Sequence, residues 1–139
     1  MDNLSTVNRM MSDQKTKQTT RRAAGAAGLL VGVLAVLAGS RVLLGLSIPG
    51  YTVLRPLVVY NVLAGAVSIV AGLGLWTGRS WAPHLAAVMA AAHVIVLILL
   101  VGIAALGEAV ATESLGAMTF RSAVWSGIAW LVARRSPNA

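Results

Sequence analysis

Between Arg79 and Glu108 the chain runs for 28 residues without a Lys, Arg, Asp or Glu. An α-helix rises about 1.5 Å per residue, and about 20 mostly apolar residues cross the hydrocarbon core of a bilayer. A run this long and this free of charge suits a lipid interior. It is not isolated. Arg55 to Arg79 encloses 23 uncharged residues, Arg22 to Arg41 encloses 18, and Glu113 to Arg134 encloses 20 that are interrupted only by Arg121. Charged residues make up 11% of the 139, against about 25% in a typical soluble domain. With a mean hydropathy of +0.81, a water-soluble fold would expose large apolar patches.

These windows predict an all-α fold, an integral membrane four-transmembrane-helix bundle. Its helices lie near residues 23–45, 56–77, 82–106 and 116–133. Residues 1–22, polar and basic, read as a disordered cytoplasmic tail, and 136–139 as a second short tail. Met10 and Met11 are alternative starts to Met1. A signal-peptide reading of the first helix has Val36 and Ala38 at a small-residue cleavage pattern. Against it, the apolar run continues through "VLLGL".

Orientation follows from the basic residues beside helix ends. Lys15, Lys17, Arg21 and Arg22, then Arg79, then Arg134 and Arg135 fall on one side of a four-span topology, which predicts both termini in the cytoplasm. The loop "GEAVATESLG" carries two Glu and no cation. The expected location is a bacterial cytoplasmic (inner) membrane, multi-pass. The net charge of +7 does not point to nucleic acid, because the cations lie between apolar runs and form no patch with interleaved aromatics.

Small residues mark the faces on which helices meet in lipid. They are Gly28, Gly32, Ala35 and Gly39 on the first helix, and Asn61, Gly65, Ser68 and Gly72 on the second. Ala86, Ala90 and His93 share a stripe on the third, and Met118, Ser122 and Ser126 on the fourth. His93 therefore points into the bundle near mid-helix. An ionisable group there is a functional candidate or a neutral imidazole bonded to Ser68 or a backbone carbonyl. His84, nine residues earlier, falls on the opposite side of the helix beside Trp81 and reads as an interfacial anchor. Met89 and His93, four apart, suit Cu(I) or, with a second ligand such as Met118 or a second subunit's His93, haem b iron.

A second polar group sits toward the other end. Arg41, Tyr60, Asn61 and Arg121 all fall about 7 Å inside their helix ends, below Tyr51, Arg55, Glu108 and Glu113 of the loops. Such a layer suits an anionic headgroup, a quinone ring or a partner helix. Arg41 lies off the glycine stripe and is expected to snorkel to the headgroups. Arg121 is expected to pair with Glu113 and to stack on Trp125.

Several classes lack the residues they need. There is no cysteine, hence no disulfide or thiolate chemistry. No Asp or Glu lies inside the first three helices, as a proton-coupled exporter would require. There is no HExxH, phosphate loop or assembled triad. The segment "VLAGAVSIVAGLGLWTGRSWAPHLAAVMAAAHVIVLIL", a Gly-rich helix, a short basic turn and an Ala-rich helix, resembles DoxX-like small bacterial membrane proteins. That resemblance implies a four-helix bundle and, for some members, association with redox or quinone complexes; it assigns no catalytic residue. The functional expectation is a non-enzymatic accessory or scaffold subunit of a membrane complex, or a homo-oligomer. The alternatives are a redox subunit in which His93 contacts haem or quinone, and a pH-sensitive transporter or channel using His93.

Overall fold

The computed structural model describes residues 2–47, 50 and 54–134. Four helices account for nearly all of them: α1 (Asp2–Leu43), α2 (Arg55–Trp76), α3 (Ala82–Ala105) and α4 (Thr112–Ala133). Tyr51, Arg135 and the tail at 136–139 lie outside the described residues. Proline sits in the first turn of α2 and of α3, where a missing N–H costs nothing. The two hairpin turns close on glycines in the left-handed region, Gly78 at φ 79° and Gly107 at φ 87°. After α2, the Arg79 N–H donates to the Gly74 carbonyl and the Gly78 N–H to that of Leu75. After α3, Glu108 and Gly107 repeat the pattern onto Ile103 and Ala104. These paired bonds satisfy carbonyls that the helix ends leave open, and only glycine adopts the required backbone without strain.

The helices form a ring in chain order. α1 lies against α2 over its most extensive interface, α3 against α4 over the next, and the α2–α3 and α1–α4 seams are narrower. The α1–α2 seam is a backbone contact. A Cβ added at Gly32 would lie 2.7 Å from the Gly65 carbonyl oxygen; one at Gly72 would lie 2.6 Å from the Leu29 nitrogen. Gly25, one turn before the expected stripe, meets the Gly72 carbonyl in the same way. Gly28 leaves room for a different partner, the Trp125 ring of α4, which an added Cβ would approach to 3.1 Å.

Two apolar clusters fill the ring. Leu75, Ala82, Ala86, Met89, Trp125 and Ile128 belong to the one nearer the α2–α3 turn, and Leu57, Leu100 and Met118 form the other. Tyr60 packs against both. The exterior is also apolar: Leu30, Leu34, Leu63, Val88, Ile95, Ile98 and Phe120 are all exposed. Three helices, α1 to α3, are long and apolar enough to cross a membrane. α4 falls short because Arg121, Thr119, Ser122 and Ser126 dilute it.

Three expectations are revised. Residues 2–22 are not a disordered tail but the first half of α1, exposed from residue 4 to 19. No glycine or proline interrupts them, and extending an existing helix costs far less than starting one. Ser12 and Thr19 also bond back to the carbonyls of Arg9 and Lys15. α4 begins at Thr112, a turn earlier than expected. Ser126 is exposed, because the packing face of α4 runs through Met118, Ser122, Trp125, Ile128 and Val132. A 3.6-residue repeat rotates that face from Ser122 to Trp125 rather than to Ser126. Ala90 is only half-buried, whereas Gly28, Gly32, Gly65, Ser68, Gly72, Ala86 and Ser122 are buried.

The α1–α2 contact gives a prediction. Gly72→Ala must displace backbone on α1 and should cost about 1–3 kcal/mol, as overpacking does. Gly127→Ala, which meets open space, should change stability by no more than about 0.5 kcal/mol. Thermal unfolding of the two variants in the same detergent checks the difference.

Candidate functional site

Four polar side chains of the interior come together, contributed by α2, α3 and α4. On α3, His93 is 2% exposed. Its Nδ1 lies 2.8 Å from the carbonyl oxygen of Met89, one turn earlier on its own helix. A carbonyl only accepts, so Nδ1 carries the proton and Nε2 is left as the acceptor. Tyr60 of α2 meets the imidazole edge-on, with ring centroids 5.8 Å apart and planes inclined by 65°. Of the two partners expected from sequence, Ser68 or a backbone carbonyl, the bond goes to a carbonyl, on His93's own helix, while Ser68 is buried on α2.

Beside this pair, Arg121 Nη1 donates to Asn61 Oδ1 at 2.6 Å, joining α4 to α2. The guanidinium is close enough for its charge to act on both Tyr60 and His93. Thus His93, Tyr60, Asn61 and Arg121 are one cluster, where the sequence suggested two separate groups. The expected Glu113–Arg121 pair does not form: among the described residues no ion pair within 4.0 Å joins them. Glu113 stays exposed in the first turn of α4, where a negative charge is favoured by the helix dipole. Arg41 is exposed and takes no part in the cluster.

Trp125 does not stack on Arg121 either. It is fully buried against Gly28. The cation–π contact on α4 is instead Arg134 over Trp130, 3.9 Å from the ring centroid. The role of Trp125 was missed because a tryptophan shows its burial only through the partner that makes room for it.

Asn61 and Arg121 also line a cavity of about 190 Å³ that opens between α1, α2 and α4. Gly39, Leu57 and Ala117 make its apolar wall, and Glu113 and Ser114 its rim. This arrangement presents a guanidinium with one neutral hydrogen bond to a small, partly apolar space. A buried cation is costly unless an opposite charge accompanies it. Glu113, the one acid that lines the same cavity, makes no ion pair with Arg121 among the described residues.

The residues do not fit a haem. His93 does not line either of the cavities described, and its ring is 2% exposed with Tyr60 packed against it. A side chain 2% exposed within one chain does not reach iron shared with a second subunit. Met89 meets His93 through its backbone carbonyl, and no group of three or more His, Cys, Asp or Glu comes together among the described residues.

No family model, curated protein or solved structure matches this chain.

Three variants test the cluster. Asn61→Leu strands the Arg121 guanidinium and should lower stability by about 1–3 kcal/mol, while Asn61→Leu/Arg121→Leu should recover most of that loss. Tyr60 Oη is buried with no hydrogen-bond partner among the described residues. Tyr60→Phe should then be neutral or stabilising by about 1 kcal/mol. Denaturant titration of the detergent-solubilised proteins reads all three.

Proposed function

We propose that this chain is a multi-pass membrane protein that works by assembly rather than catalysis. It is an accessory or scaffold subunit, or a homo-oligomer, whose Arg121 is answered by a carboxylate on a partner. The reading rests above all on one observation: a half-buried guanidinium held by a neutral amide and not by an acid. Inside a low-dielectric layer, a carboxylate supplied by another helix is worth far more than at a surface.

The exterior supports the membrane setting. Three of the four tryptophans, Trp76, Trp81 and Trp130, are exposed at the same end of the ring, as an interfacial belt would be. That end also carries Lys17, Arg21, Arg22, Arg79 and Arg134, and the opposite end carries Glu108 and Glu113. The basic end is the cytoplasmic one in this reading, with both termini on it, in a bacterial inner membrane. α4 is the fourth span, with Arg121 turned inward onto Asn61 of α2. Gly116, Ala123, Ser126 and Gly127 leave its exposed face small enough for another helix to approach closely. The DoxX-like resemblance belongs to this proposal.

Native mass spectrometry of protein extracted from its own membranes in a mild detergent tests the assignment. It should show a species heavier than the 14.3 kDa chain that dissociates in Arg121→Gln and persists in Glu113→Gln. A wild-type chain that is monomeric throughout contradicts it.

A further inference from the structure

A second cavity, of about 760 Å³, lies at the basic end of the ring. That volume falls within the roughly 300–1,000 Å³ of small-molecule sites. Its two walls differ in kind. Lys17, Arg21 and Arg22 of α1 face it on one side, with the amides of Gln14 and Gln18. Leu75 and Trp76 from the end of α2, and Leu131 and Val132 from the end of α4, form the other. Among the described residues no carboxylate lines it. The cavity exists because α1 continues as a helix beyond the apolar part of the bundle and stands over the α2–α3 turn. The Arg21 guanidinium fixes that overhang by donating to the Arg79 carbonyl in the turn. Arg21 Nε is buried and has no hydrogen-bond partner among the described residues.

Three cations without an acid, above an apolar floor at the level of the exposed tryptophans, match an anion attached to something greasy. We propose that this cavity binds a phosphate group, that of an anionic phospholipid in the adjoining leaflet. Lys17 and Arg22 supply the charge, Arg21 orients the site by holding the turn, and the first methylenes of the acyl chains lie on the exposed side chains of Trp76 and Leu131. The site shares no residue with the Arg121 cavity, so it stands whether or not a partner carboxylate is found there.

The test uses the full chain, delipidated in detergent and titrated with phosphatidylglycerol, with phosphatidylcholine, and separately with inorganic phosphate. Phosphatidylglycerol should bind at least tenfold more tightly than phosphatidylcholine. Lys17→Gln/Arg22→Gln should weaken it by about 30-fold, taking each basic group near a membrane surface at its usual worth. The charge-preserving Lys17→Arg/Arg22→Lys should retain it, and unchanged helical circular dichroism keeps a folding defect from imitating the loss. Inorganic phosphate that binds, and is lost in the double Gln variant, while the two lipids bind alike, supports a phosphate site filled from solution. Equal binding of both lipids with no phosphate binding overturns the proposal, as does phosphatidylglycerol affinity unaffected by the double Gln variant.

Discussion

Where α1 crosses α2, glycines bring the two backbones into direct contact. Gly25, Gly32, Gly65 and Gly72 let a carbonyl of one helix reach the opposite helix directly, and that contact sets the separation and the antiparallel register of the pair. In lipid this kind of packing carries much of the association energy, since burying apolar side chains gains little against an apolar solvent. The rest of the ring is arranged around it. Gly28, on the flank of the seam, makes the space into which Trp125 projects, and so brings α4 against α1. With α4 in place, Arg121 falls opposite Asn61, and His93 of α3 falls against Tyr60. The polar cluster is thus a consequence of the glycine seam.

The two ends of the ring differ in chemistry as well as charge. At the acidic end, one guanidinium is drawn inward and meets a small cavity. At the basic end, three cations look outward over a larger one, and their geometry depends on the unbroken continuation of α1 past the apolar bundle. In the proposed reading each end has its own demand for negative charge. One is compact and lies within the helices, and the other is diffuse and lies at their boundary. This division follows from there being only four acidic side chains in the chain; of these, Asp13, Glu108 and Glu113 are exposed.

The helices could be read from the sequence because charge-free windows and flanking Arg and Glu mark them directly. The inward direction of His93 was equally legible, since Ala90 and Ala86 lie one and two turns back on the same stripe. What could not be read was anything set by the rotation of one helix against another. Whether Arg121 meets Glu113 eight residues away on α4, or Asn61 on α2, depends on how α4 turns, and Trp125 decides that by docking on Gly28. Ser126 was misplaced for the same reason. The continuation of α1 was hidden differently: polar composition argues against burial, but a helix already nucleated by an apolar segment needs no burial to extend. Arg41 shows the reverse case, where its distance from the glycine stripe was enough to place it outside.

The account depends on α4 crossing the bilayer alongside the three more apolar helices, with Asp13, Ser80 and the C-terminal end of α4 on one side and Ala109 on the other. The absence of native cysteine allows a direct reading. Single substitutions Asp13→Cys, Ser80→Cys, Ala109→Cys and Arg134→Cys would be labelled in sealed membranes with a maleimide that cannot cross them. The account predicts that position 109 alone reacts from outside, and that 13, 80 and 134 react only after the membrane is opened. Positions 109 and 134 reacting from the same side would mean that α4 does not span, and would contradict it.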